Sequence, residues 1–213
     1  MNKYIKIAII IFSSVIILWF SYKNSFKEGL TNKNNILLLG DSVLDNSIYV
    51  LSDQSVESRL TKHNSNVYNF AKDGSTIIDL YAQLDKAPLS LNKQDTYAFI
   101  SIGGNNILHD KSQSITELFN TFSEFLKSFR VKFGSVKLNI FNIYMPANPK
   151  YKSYVEAVDQ WNKLLQDNSN KIGEMYNIID VHSLLTSPSD FVYDIEPSSE
   201  ASEKIANAIL LAN

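Results

Sequence analysis

Three short segments carry groups that acyl-transfer chemistry can use, and each follows a run with strand patterning. Gly40-Asp41-Ser42 comes directly after Ile36-Leu37-Leu38-Leu39, Lys72-Asp73-Gly74-Ser75 after Val67-Tyr68-Asn69-Phe70-Ala71, and Gly103-Gly104-Asn105-Asn106 after residues 97–102. A short continuous apolar run reads as a buried parallel strand, and ligands of open α/β sheets bind beyond the carboxyl ends of such strands. Ser42 is thereby a candidate nucleophile. Backbone N–H groups lie free near a serine between a strand end and a helix start. Gly74 lets another backbone N–H approach closely, and the Asn105 side-chain amide is a third donor for an oxygen that turns negative as the nucleophile attacks. Taken singly, each segment is also an ordinary turn, with Gly74 supplying a positive φ. Their occurrence at successive strand ends is what points to a site. Asp41, Asp45 and Asn46 flank the serine and are read as ordering its loop, without a catalytic role.

The elements that must position these groups follow from hydrophobic periodicity. Helical patterning covers residues 48–62, 77–84, 114–132, 154–172 and 199–211, and strand patterning covers 36–39, 67–71, 97–102, 137–144 and 176–181, with an irregular stretch from there to Pro197. Alternating strands and helices imply an α/β fold, a flavodoxin-like three-layer sandwich whose five-stranded, mainly parallel sheet is covered on both faces.

With these blocks in this order, the chain resembles the SGNH (GDSL-type) hydrolases over roughly residues 36–212. The resemblance implies a serine hydrolase acting on an acyl or acetyl ester of a lipid, saccharide or other small molecule, with Ser42 as nucleophile and Gly74 and Asn105 completing the oxyanion hole. Asn106 stands where the family usually has Asp. The fourth block departs further: the family's Asp-x-x-His-Pro is here Tyr193-Asp194-Ile195-Glu196-Pro197-Ser198, so Glu196 takes the place of the histidine base and Tyr193 that of the aspartate. This Glu-for-His form resembles a subgroup of the family. A glutamate, with a pKa of ~4.3 against ~6.5 for histidine, is the weaker base unless burial or a like charge raises it. Pro197 suits a first helical position, which would set Glu196 at a helix N-terminus whose dipole favours the charged form, so Glu196 reads equally as base or as helix cap.

Three histidines offer other routes. His63 reads as a surface residue on the far side of the sheet. His109, four residues past Asn105, could line the cleft, and His182, two residues after Asp180, is the second candidate for the base, behind Glu196. A catalytically inactive binding or scaffold protein that kept the cleft is the alternative from another class. A flavodoxin-like nucleotide binder is weaker, because no phosphate-cradling glycine pattern follows the first strand.

Composition narrows the partners. The chain has 213 residues, 45% hydrophobic and 20% charged, enough for one domain with a sizeable core. A net charge of −2 without a basic block argues against nucleic acid as a partner. The absence of cysteine removes disulfides and thiol chemistry, no His/Asp/Glu grouping has metal-ligand spacing, and no cofactor is expected. Residues 7–22 form a mostly apolar run flanked by Lys3, Lys6 and Lys23, with Tyr4, Trp19 and Tyr22 suited to the interface. No small-x-small cleavage site follows it. The expectation is an uncleaved single-pass anchor over residues 1–23, a polar linker over 24–35 and the globular domain over 36–213. The domain is expected on the extracytoplasmic side, although lysines on both flanks leave orientation open.

Overall fold

In the computed structural model the residues described are 34–63, 66–109, 112–171 and 175–213. The expected anchor at 1–23 and nearly all of the linker at 24–35 lie outside them. Among the described residues no helix is long and apolar enough to cross a membrane.

Five parallel strands form the central sheet: β1 (Asn35–Gly40), β2 (Asn66–Asn69), β3 (Thr96–Ser101), β4 (Lys137–Phe141) and β5 (Asn177–Ile179), in the order β2-β1-β3-β4-β5. The period-2 geometry of a strand sends alternate side chains to opposite faces. Leu37 and Leu39 therefore enter one core with Leu80 and Leu84 of α2 (Asp79–Lys86), Phe122, Phe125 and Phe129 of α4 (Ile115–Lys132), and Trp161 and Leu165 of α5 (Val155–Asn168). Ile36 and Leu38 enter the other, with Val56 and Leu60 of α1 (Val56–Lys62), Val181 of α6 (Val181–Leu184), and Ile205 and Ile209 of α7 (Ser199–Ala212). Each such side chain contributes about 1.5–3 kcal/mol by leaving water. The helix crossing from β1 to β2 lies on one face and the one from β2 to β3 on the other. The strand order therefore reverses between β1 and β3, which is where a crevice opens at the carboxyl edge. The expected flavodoxin-like sandwich is the fold observed.

Several boundaries differ from the periodicity, each for a local reason. The helix expected at residues 48–62 begins only at Val56, because Ser55 caps it by accepting the Ser58 N–H, while Asn46 Oδ1 takes the Val56 N–H at 3.1 Å and holds the preceding residues in turns. The fourth strand stops at Phe141 rather than 144, where the Asn142 side chain donates to Asp180 Oδ1 at 2.6 Å and accepts from the His182 N–H. The helix expected from Tyr154 starts as a 3₁₀ turn, Pro149–Tyr154, before α5. Gly103-Gly104-Asn105-Asn106 is more than a turn, since α3 (Gly104–His109) begins inside it. Ser114 heads α4 with a full capping box to Glu117. The stretch before Pro197, expected to be irregular, holds α6 and a two-stranded antiparallel ribbon of β6 (Phe191–Val192) and β7 (Glu196–Pro197).

Gly40 ends β1 at φ +131°, and a Cβ built there would lie 1.9 Å from the Ser101 carbonyl oxygen of β3. Gly40→Ala is therefore expected to cost about 3 kcal/mol or more, through positive-φ strain and forced separation of β1 from β3. At Gly104 a Cβ would meet nothing within 4 Å, so Gly104→Ala should be neutral or slightly stabilising. Paired urea titrations check both.

Candidate active site

The nucleophile candidate is presented by the turn that Gly40 makes possible. Asp41 N–H donates to Ser101 O at 3.1 Å, and Asp41 Oδ1 accepts from Val43 N–H at 3.2 Å and from Ser101 Oγ at 3.0 Å, which holds Ser42 over the end of β3. Ser42 lines a cleft of about 500 Å³ shared with Asn105 and Glu196. The rest of its wall is largely apolar, including Ile102, Ile107, Ile143, Met145, Val158 and Ile195. Among the described residues no lysine or arginine lines it.

Asn105 sits in the first turn of α3, and its Nδ2 donates to Ser75 O at 2.9 Å. That bond fixes the amide orientation and leaves its second hydrogen for the cleft. The neighbouring Asn106 accepts the Ile77 N–H at 3.0 Å through Oδ1, a task an aspartate would perform equally, so the departure from the family pattern is structurally mild. Gly74 itself is not part of the cleft wall. It occupies the adjoining turn at φ +74°, and that turn is tied to the nucleophile loop by the Asp73 N–H donating to Asp45 Oδ2 at 3.0 Å.

Glu196 is held on both sides by its peptide neighbours: Tyr144 Oη donates to Ile195 O at 2.8 Å, and Asn46 Nδ2 reaches Pro197 O at 3.4 Å. The ribbon turn before it places Tyr193 and Asp194 at positive φ (47° and 73°), and Asp194 pairs with Lys150 at 2.8 Å across the cleft rim. Its far side is anchored by the buried Asp190, which accepts from Lys204 of α7 at 2.7 Å. Glu196 is not the cap of α7. Ser198 takes that place by accepting the Ala201 N–H, and Pro197 lies in β7 rather than in the first helical turn. The expected dipole effect on Glu196 is thus displaced by burial, which pushes its carboxyl above the usual range; the Ser42 hydroxyl draws it back and Asp73 adds to the rise. Glu196 Oε2 is buried without a hydrogen-bond partner.

The histidines separate clearly. His63 is exposed at the end of α1. His109 lines the cleft, although it is itself exposed. His182 lies outside the cleft wall; its Nδ1 meets Ile143 O at 3.0 Å and its N–H meets Asn142, so the ring ties α6 to the end of β4. Among the described residues no group of histidines and carboxylates could hold a metal ion.

Two features escaped the periodicity. Asp41 is buried, and burial, with the Glu196 charge adding to it, pushes its carboxyl up to about 7, against the Val43 and Ser101 hydrogen bonds. Gln83 is a buried amide between Leu80 and Leu84 on the apolar stripe of α2. The signal for it was a polar residue at an i, i+3, i+4 core position.

Residues 29–209 match the family model described as GDSL-like lipase/acylhydrolase. No curated protein sequence matches the chain. Solved structures do. A member of the lipolytic G-D-S-L family from Veillonella parvula is 14% identical at a TM-score of 0.65, covering 83% of this chain and 96% of its own. A psychrotrophic esterase from Pseudoalteromonas is 16% identical at 0.59, covering 85% and 100%. An acetylxylan esterase from Geobacillus stearothermophilus is 14% identical at 0.61, covering 84% and 93%. At these identities the structural likeness is one of fold.

Because folded Asp41 binds its proton more tightly than the unfolded chain, its contribution to stability is full below the ordinary value of 3.8 and is lost as pH rises through about 7. Asp41→Asn, which keeps the acceptor for Val43 and Ser101, should therefore gain on the wild type by up to about 4 kcal/mol between acid and mildly alkaline pH. Urea titrations at a series of pH values check this.

Proposed function

The chain belongs to the GDSL-like lipase/acylhydrolase family, and from that membership we propose that it is a serine esterase using Ser42 as nucleophile, Glu196 as base, and the Ser42 N–H, Gly74 N–H and Asn105 amide as oxyanion donors. The observation that carries the reading is the meeting of Ser42, Asn105 and a Glu196 carboxylate oxygen without a partner in one cleft.

In this mechanism Ser42 Oγ attacks the ester carbonyl carbon while Glu196 takes the hydroxyl proton. The carbonyl oxygen becomes an oxyanion and meets the donors. On collapse the carbon–oxygen bond to the alcohol breaks, and Glu196 returns the proton to the departing alkoxide. Water then attacks the acyl-serine, Glu196 again accepting a proton; the carbon–oxygen bond to Ser42 Oγ breaks, Glu196 returns the proton to Ser42 Oγ, and the carboxylic acid leaves. Burial of Glu196 serves both halves, because a raised pKa makes the carboxylate a better base and brings its proton affinity closer to that of the groups it serves.

The cleft chemistry supports an uncharged acyl group. Much of its wall is apolar and its carboxyl groups are Asp41 and Glu196, with no lysine or arginine among the described residues lining it to neutralise an anionic substrate. One of the structurally similar proteins is an acetylxylan esterase, and acyl or acetyl esters of lipid or saccharide remain the proposed substrate class. We further propose that residues 7–22 anchor the protein in a membrane with the domain on the extracytoplasmic side, on the strength of the apolar run and its flanking lysines.

Assays on p-nitrophenyl acetate, butyrate and octanoate and on acetylated saccharides test the reading. Ser42→Ala should abolish turnover, and Asn105→Ala should lower kcat by about 10²–10³-fold with little change in KM. Turnover that survives Ser42→Ala would sink the serine mechanism.

With Glu196 as base, kcat/KM should fall as pH drops through the raised Glu196 pKa, placing the acid limb above the ordinary value of 4.5. Glu196→Gln should remove that limb and lower the rate by about 10²–10⁴-fold. If His182→Ala, rather than Glu196→Gln, collapses the rate, the base is reassigned.

A further inference from the structure

We propose that Gln83 is a positioning residue that locks the nucleophile turn and the oxyanion-hole turns into one unit; this rests on the serine esterase reading. Gln83 is 4% exposed and belongs to α2, an element that contributes nothing to the cleft wall. Its amide nevertheless spans the backbone beneath the site. Oε1 accepts the Gly40 N–H at 2.6 Å, and Nε2 donates to Gly40 O at 2.9 Å and to Ser75 Oγ at 3.1 Å.

Gly40 lies two residues before Ser42, and Ser75 directly follows Gly74. Ser75 O in turn accepts the Asn105 Nδ2 that fixes the side-chain donor of the proposed oxyanion hole. One side chain therefore touches the segments that carry the nucleophile and Gly74, and reaches the third donor through a single further bond. Both amide hydrogens and the amide oxygen are used.

The pattern at Gly40 is that of a strand neighbour, exchanging both an N–H and a C=O with one residue. It falls where β1 has run past its pairing with β2, which ends at Leu38 opposite Asn69. There Gly40 O also accepts the Lys72 N–H at 2.9 Å, so the amide closes a seam between β1 and the loop leading to Gly74. An aliphatic side chain would suit the surrounding cluster of Leu80, Leu84 and Ile77 by packing alone. What an aliphatic residue cannot do is hold two turns at fixed separation, and a displacement of about 1 Å at reacting atoms can cost on the order of 10²-fold in rate.

The test uses the full-length protein and variants Gln83→Met, Ser75→Ala and Gln83→Met combined with Asn105→Ala, all assayed on p-nitrophenyl butyrate beside Ser42→Ala. Gln83→Met, similar in size but without the amide, is expected to lower kcat by about 10–100-fold while KM changes less than about twofold. In the Asn105→Ala background the same substitution should cost less, because one of the donors that it positions is already gone. Ser75→Ala removes only the hydroxyl contact and should show the same kcat-selective loss on a smaller scale; it keeps the test open if Gln83→Met does not fold. A lowered melting temperature with kcat unchanged, or equal costs with and without Asn105, would overturn the proposal while leaving a Ser42-dependent esterase intact. Turnover independent of Ser42 would instead overturn the esterase reading and this proposal with it.

Discussion

The close approach of β1 to β3 at Gly40 is the contact on which the site depends. With Ser101 O occupying the space of a side chain, the backbone turns at positive φ, Asp41 N–H is captured by the same carbonyl, and the next residue, Ser42, is delivered into the crevice where the strand order reverses. A larger residue would push the two strands apart and move the nucleophile with them. The consequences spread along the carboxyl edge. Gly103 at the end of β3 is similarly constrained, since a Cβ there would lie 2.8 Å from the Trp161 ring, so α3 and Asn105 start from a backbone pressed against the core.

Polar side chains buried beneath this edge convert strand ends into a defined constellation. Asn46 joins the nucleophile loop to α1, to Ser202 of α7 and to Pro197, next to the proposed base. Tyr144 secures the peptide on the other side of that residue. Such groups are costly to bury unless paired, and once paired they admit few alternative arrangements. Electrostatics follow from the same enclosure. Asp41 and Glu196 share a cleft whose wall, among the described residues, holds no lysine or arginine; burial pushes each carboxyl towards its neutral form, with the Glu196 charge adding to the rise at Asp41 and the Asp73 charge adding to it at Glu196. A glutamate in that setting is chemically unlike a glutamate in water.

Much of the fold was legible in hydrophobic periodicity. The runs at 36–39 and 97–102 are apolar but for Ser101 because central parallel strands are covered on both faces, and the alternation of strands with helices left few topologies to consider. The ribbon around Glu196 was harder to read, since strands of two residues have no period to detect. Residues 48–55 carried helical patterning, yet Asn46 and Ser55 draw the backbone into caps and turns through side-chain hydrogen bonds that compete with the helix.

By itself the sequence determined the α/β architecture, the strand-end placement of Ser42, Gly74 and Asn105, and the substitution of Glu196 for a histidine, because these depend on residue order and local periodicity. Tertiary structure decided what no local pattern encodes: that Glu196 faces the cleft, that His182 is engaged in joining β4 to α6, that Asp41 is buried, and that Gln83 reaches both turns. Each of these rests on contacts between residues tens of positions apart, and burial and hydrogen-bond partnership at that range exist only once the chain has packed.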